Sequence, residues 1–207
     1  RTLGPDDSVV VTEMEHHASL VPWQQVCKRT GAELRHIPVT DEGALDMDAA
    51  RTLIDSSTAM VSVVHISNTL GTIAPVTELA ELAHTHDAYC FVDGAQSVPT
   101  RPVDVGQLGA DFLAFSGHKM LGPTGIGVLW GRESVLEDLE PYLYGGEMIR
   151  RVTYEDSTWE ELPWKFEAGT PPIAEAVGLH AAIDYLEEIG MQRVRAHEDA
   201  LTAYAYD

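Results

Sequence analysis

Short runs of apolar, β-branched residues alternate along this chain with stretches that have the spacing of amphipathic helices. Four of the runs predict strands, at residues 8–11, 59–64, 89–92 and 111–115. Between them, the patterns at 21–30 and 76–86 predict helices. A regular alternation of strands and helices is typical of an α/β domain with a largely parallel sheet, and this is the fold class that the pattern indicates.

The second half of the chain predicts a less regular series of elements. A glycine-rich segment at 122–130 predicts a turn that leads into another strand, and 132–139 predicts a short helix. Residues 144–170 are predicted to be rich in loops. Apolar positions at 173–189 then predict one amphipathic helix, and a further helix begins near Gln192.

Acidic residues dominate the charge of the chain, with 33 Asp and Glu against 13 Lys and Arg and a net charge of −20. A surface of this sign disfavours nucleic acid as a partner. Only three lysines occur, and an acidic, lysine-poor surface suits a high-salt cytoplasm, so we hypothesise a halophilic origin. No signal-peptide pattern and no long apolar run occurs, which predicts a cytoplasmic protein without a membrane segment. The start without Met suggests that residues are missing.

Two cysteines, Cys27 and Cys90, are too few for a disulfide framework or a cysteine-based metal site, and both are expected to be buried structural residues. His16 and His17 are adjacent, but no second histidine pair or nearby cysteine supplies further ligands at metal-binding spacing. No metal site is therefore expected.

Polar residues that can do chemistry follow all four predicted strands of the first half. Ligands in open α/β sheets bind at the carboxyl ends of the strands, so these clusters predict a ligand site at that edge. In chain order they are Glu15-His16-His17, Ser67-Asn68, Asp93-Gly94-Ala95-Gln96 and Ser116-Gly117-His118-Lys119.

Lys119 follows an apolar strand and precedes a glycine-rich turn that lets the backbone approach a ligand. Partial desolvation there would ease deprotonation of its amine, as a Schiff-base nucleophile requires. Spacing alone leaves a surface lysine in a loop as the alternative. Ser116 and His118 offer hydrogen-bond donors suited to a phosphate.

Asp93 ends a buried strand, where a carboxylate needs a cationic partner such as a pyridinium nitrogen, and Gln96 could donate to the phenolic oxygen of the same ring. The alternative for Asp93 is a cap on the next helix. His16 could lie flat on an aromatic cofactor. Asn68 could bind a substrate carboxylate or the ring oxygen, or could simply be a turn residue.

Three of these segments, in this order, match one family: EMEHHA at 13–18, VDGAQ at 92–96 and SGHKMLGPTG at 116–125. Further matches at 145–149 and 164–171 extend the likeness over nearly the whole chain. The sequence resembles the Suf-type cysteine desulfurases of the class V aminotransferase superfamily. The resemblance implies the large domain of pyridoxal-phosphate fold type I, with helices on both faces of a mostly parallel mixed sheet, at 1–172, and a linking helix and the start of a truncated C-terminal domain at 173–207.

The resemblance also implies a role for each candidate residue toward pyridoxal 5′-phosphate. Lys119 would carry the cofactor, Asp93 would bind the ring nitrogen, Gln96 the phenolic oxygen, and His16 would stack on the ring. The phosphate would be held by Ser116 and His118. Asn68 would face the substrate carboxylate and the ring oxygen, and Thr170 would reach the phosphate in a neighbouring subunit, which implies a homodimer with shared active sites.

The reaction implied is removal of sulfur from L-cysteine to give L-alanine and an enzyme persulfide, for transfer to a sulfur-acceptor protein and for iron–sulfur cluster assembly. The family's nucleophilic cysteine and substrate-binding arginine belong to a C-terminal domain that this sequence lacks, and neither Cys27 nor Cys90 matches that cysteine. The chain by itself is thus expected to be inactive. Lys119 and His16 are the catalytic residues that it would contribute. Alternatives are a selenocysteine lyase or another class V enzyme, and a non-catalytic partner subunit.

Overall fold

A six-stranded sheet forms the centre of the computed structural model, which describes residues 2–206. The spatial order of its strands is β2-β1-β3-β4-β5-β6, and only the β5–β6 pair is antiparallel. This confirms the mostly parallel mixed sheet. The strands are β1 Ser8–Thr12, β2 Glu33–Ile37, β3 Thr58–Val64, β4 Tyr89–Asp93, β5 Phe112–Ser116 and β6 Gly127–Gly131.

Seven helices and a small hairpin complete the described part of the chain. The segment predicted to be loop-rich contains the hairpin, which is antiparallel, and a single 3-10 turn at Trp164–Phe166. The predicted helix at 173–189 is confirmed with the same bounds. The elements are α1 His17–Thr30, α2 Met47–Leu53, α3 Val76–Thr85, α4 Val105–Leu108, α5 Glu133–Asp138, β7 Ile149–Val152, β8 Ser157–Trp159, α6 Ile173–Ile189 and α7 Met191–Tyr206.

Helices cover both faces of the sheet because successive side chains of a strand point to opposite sides. Val10 of β1 belongs to the main core with residues of α2 and α3, whereas Val9 and Val11 pack with Cys27 on α1. All three valines are fully buried. Both cysteines are buried and unpaired, as expected.

The buried carboxylate of Asp111 makes several polar contacts at the amino ends of β4 and β5. Asp111, only 1% exposed, lies just before β5 and accepts a hydrogen bond from the Cys90 backbone N–H at 2.7 Å. It also pairs with His84 of α3, at 2.9 Å, and with Arg132, which follows β6. These polar contacts all lie at the amino ends of β4 and β5, so the carboxyl ends are left for other groups.

Three elements of the first half, β2, α2 and the short α4, were not predicted, and one helix begins earlier than expected. The edge strand β2 exposes Glu33 and His36, which hides its alternation. The short α2 is held by Asp46, whose carboxylate accepts from the N–H groups of residues 48 and 49. Helix α1 begins at His17 rather than near residue 21, because His16 caps it.

Candidate active site

The carboxyl ends of β1, β4 and β5 open into a cavity of about 460 Å³, called here the lysine cavity. Its volume lies in the range of small-molecule sites. It brings together five of the eight predicted site residues, which are His16, Asp93, Ser116, His118 and Lys119. Its other lining residues are Ala18, Ser19, Phe91, Ala95, Ala114 and Phe115.

Lys119 ends a single 3-10 turn, Gly117–Lys119, that continues directly from β5. The Gly117 N–H donates to Ile126 O and the Gly122 N–H donates to Gly117 O, both at 2.9 Å. Backbone packs so closely here that a Cβ on Gly122 would lie 2.9 Å from Gly117 O. Only glycine permits such an approach, and the close contact fixes the backbone beside the lysine.

Met120 anchors the same turn from the other side. Its side chain is 6% exposed and packs in a cluster with Leu179 and Leu186 of α6. The lysine is therefore held between a fixed backbone and a helix rather than in a mobile surface loop.

Asp93 is the last residue of β4, and its neighbours across the sheet are Val64 and Ala114. Its Oδ1 accepts from the Ala95 N–H at 2.9 Å, which sets the direction of the carboxylate. No hydrogen bond to Oδ2 occurs within residues 2–206, so that oxygen is available to a ligand in the lysine cavity.

His16 caps α1 through its ring, because its Nδ1 accepts from the Ala18 N–H at 3.1 Å. Accepting at Nδ1 assigns the proton of a neutral ring to Nε2. The ring also lines a neighbouring cavity of about 490 Å³, called here the His17 cavity. His16 therefore stands between two compartments at the same edge of the sheet.

The remaining three predicted site residues lie elsewhere. Asn68 lines the His17 cavity and also a third cavity of about 570 Å³ against α7. Gln96 lines this third cavity and not the lysine cavity. Thr170 is exposed and lines none of the three. Their roles stay predictions.

Two buried titratable groups at this edge were not singled out from the sequence. Burial raises the pKa of Glu15 to about 7, against the hydrogen bonds that it accepts from Thr12 and Val64, and the charge of Asp93 raises it further. Burial, together with the charge of Arg101, lowers the pKa of His65 to about 4. Glu15 stands in the same cluster as His16, but sequence cannot tell which member of a cluster is buried.

The donor set of the lysine cavity fits pyridoxal phosphate. A carboxylate with an open oxygen suits a protonated ring nitrogen, an imidazole suits a ring face, and a lysine suits the aldehyde carbon. The Ser116 hydroxyl and the His118 ring line the same cavity and suit a phosphate. Residues 2–206 contain no group of three or more His, Cys, Asp or Glu placed to hold a metal ion. Nor does any helix in this range have the length and apolarity needed to cross a membrane.

Comparison with known proteins agrees with this geometry. The family model described as aminotransferase class-V matches residues 1–207. A cysteine desulfurase of Haloferax volcanii is 70% identical over 205 residues, which is 99% of this chain and 48% of that protein. The chain thus spans about half the length of the curated relatives it matches.

Solved structures show the same likeness. The apo structure of a cysteine desulfurase from Thermococcus onnurineus NA1 superposes with a TM-score of 0.93 at 43% identity, over 99% of this chain and 50% of that one. A C-DES variant with glycine covalently linked to its pyridoxal-phosphate cofactor gives a TM-score of 0.81 at 26% identity, over 92% and 51% of the two chains.

Proposed function

Since the chain belongs to the aminotransferase class-V family, we propose that the full-length protein is a cysteine desulfurase that uses pyridoxal phosphate. It takes sulfur from L-cysteine, leaving L-alanine and a persulfide on an enzyme cysteine. The observation that carries the proposal is the lysine cavity, in which Lys119, Asp93 and His16 meet at the carboxyl edge of the sheet. The high identity to named cysteine desulfurases supports the choice of substrate.

Bound pyridoxal phosphate supplies an electron sink that lets the α-proton of an amino acid leave. In this proposal Asp93 would hold the ring nitrogen and keep it protonated, and His16 would lie against the ring. Lys119 would hold the cofactor through its amine and would move the proton at the substrate α-carbon. Phe91 and Phe115 help to exclude water from this end of the cavity.

The same proposal covers the finer features of the site and the cellular role of the protein. Ser116 and His118 hold the phosphate, Gln96 the phenolic oxygen, and Asn68 the substrate carboxylate or ring oxygen. The exposed Thr170 reaches the phosphate of a second subunit, which makes the protein a homodimer with shared sites. We further propose a Suf-type enzyme of the cytoplasm that passes sulfur to an acceptor protein for iron–sulfur clusters. The net charge of −20 supports a halophilic origin.

Borohydride trapping tests the central proposal. The full-length protein is incubated with pyridoxal phosphate, its absorbance is recorded, and the adduct is reduced and mapped by peptide mass. The expected adduct lies on Lys119 rather than on Lys28 or Lys165, the other two lysines of this chain. Lys119→Ala should abolish both the trapped adduct and alanine formation.

Lys28→Ala is the matched control, because Lys28 is exposed on α1 and should keep both. An adduct that persists in Lys119→Ala, or alanine formation by that variant, would contradict the assignment.

A further inference from the structure

Glu15 is a buried carboxyl that joins two strand ends of the candidate active site. It lies in the turn after β1 and is only 7% exposed. Its Oε1 accepts from the Thr12 hydroxyl at 2.8 Å and from the Val64 N–H at 2.7 Å. Thr12 ends β1 and Val64 ends β3, so the carboxyl links the two ends directly.

The second oxygen of this carboxyl, Oε2, is buried and has no hydrogen-bond partner among the described residues. Buried polar atoms are almost always paired, so an unpaired one calls for an explanation. A carboxyl in this state is easier to bury without its charge, and burial does raise the pKa of Glu15 to about 7.

Asp93 is the charged group that acts on Glu15 from the neighbouring strand. Val64, which donates to Glu15, is the register partner of Asp93, and the charge of Asp93 raises the pKa of Glu15. Other titratable groups near Glu15 in the chain are Glu13 and His16 on its own turn and His17 at the start of α1. His65 directly follows Val64 at the end of β3, and burial lowers the pKa of His65 to about 4.

We propose that Glu15 is a positioning residue of the cofactor site, which holds the His16 turn against β3 and gives up its proton when a cationic ring nitrogen pairs with Asp93. A cation at Asp93 cancels the charge that disfavours ionised Glu15. By linkage, ionisation of Glu15 must in turn favour binding of the cation. The inference rests on the proposed function, because it assumes that the lysine cavity holds pyridoxal phosphate.

The affinity of the full-length apo-protein for pyridoxal phosphate, measured between pH 5.5 and 8, tests this linkage. If cofactor binding lowers the pKa of Glu15 by about half a unit to one unit, affinity rises about threefold to sevenfold across this range through Glu15 alone. Glu15→Gln keeps an acceptor for Val64 but cannot ionise. Its pH profile should therefore lack this rise, while titrations of the lysine and the phosphate remain.

Glu13→Gln is the matched control. Glu13 also accepts from a backbone N–H, that of Val39 at 2.9 Å, but it is exposed, so its variant should keep the wild-type profile. Thr12→Val gives an independent readout that does not depend on how well Glu15→Gln folds. Loss of the Thr12 hydroxyl, whose hydrogen bond lowers the pKa of Glu15, should move the midpoint of the rise to higher pH.

A wild-type profile in Glu15→Gln, or an unmoved midpoint in Thr12→Val, would overturn this inference and leave the proposed function standing. Absence of cofactor binding by the wild-type protein at every pH would overturn both.

Discussion

Replacing Gly122 by Ala tests whether the close backbone packing near Lys119 is what positions the lysine. The new Cβ would lie 2.9 Å from Gly117 O and 3.1 Å from Leu179 Cδ1, where ordinary contacts begin near 3.4 Å. Leu179 can rotate, but a backbone oxygen cannot, so the turn must move by about 0.5 Å.

Overpacking of this size costs about 1–3 kcal/mol of unfolding free energy. A displacement of about 1 Å in an active site can cost about 100-fold in rate, so half of that should cost about tenfold. Alanine formation from cysteine by the full-length protein, and its denaturant unfolding, measure the two effects. Wild-type turnover would refute the reasoning, because the lysine would then not depend on this packing.

Gly146→Ala is the matched control for that experiment. Its Cβ would meet nothing within 4 Å, so the same chemical change in another loop should alter neither turnover nor stability. Equal losses in both variants would show that the effect is not specific to the turn.

Two further predictions concern stability rather than chemistry. Asp111→Asn should lower the unfolding free energy by about 2–3 kcal/mol in denaturant titrations, because the neutral amide loses the charge-assisted bond to Arg132 and the contact with His84. The exposed Asp41→Asn should change little, and borohydride trapping at Lys119 should survive in both. Raising KCl from 0.1 to about 2 M should stabilise the protein at pH 7, because salt screens the repulsion within a net charge of −20. The salt effect should shrink near the isoelectric point, and its absence at pH 7 would contradict the halophilic hypothesis.

Strands in the middle of the sheet could be predicted from sequence because burial on both faces leaves continuous apolar runs, as at Val9, Val10 and Val11. The edge strand β2 could not, because Glu33 and His36 face solvent. The start of α1 was predicted too late, near residue 21, because its cap is the His16 ring rather than one of the usual Ser, Thr, Asp or Asn side chains.

The candidate site was predictable as far as strand ends determine it. Asp93 ends β4, and Lys119 and His16 follow β5 and β1 within four residues, so topology brings all three to one edge of the sheet. Gln96 follows β4 at a similar distance but lines another cavity, because topology does not determine the direction of a side chain within a loop. The burial of Glu15 depends on the Val64 N–H, 49 residues away, which no local pattern reveals.

The order of strands in the sheet also links cofactor supply to the folding of this chain. The lysine cavity needs β1, β4 and β5 in place, and β1 meets β4 only through β3, so the site exists only when contacts between distant parts of the chain have formed. Such contacts form slowly. A molecule that binds only the native protein shifts the folding equilibrium toward the native state. At a cofactor concentration 100 times the dissociation constant, this amounts to about 2.7 kcal/mol. A shortage of cofactor would then lower the stability of the protein as well as its activity, and proteases would remove more of it.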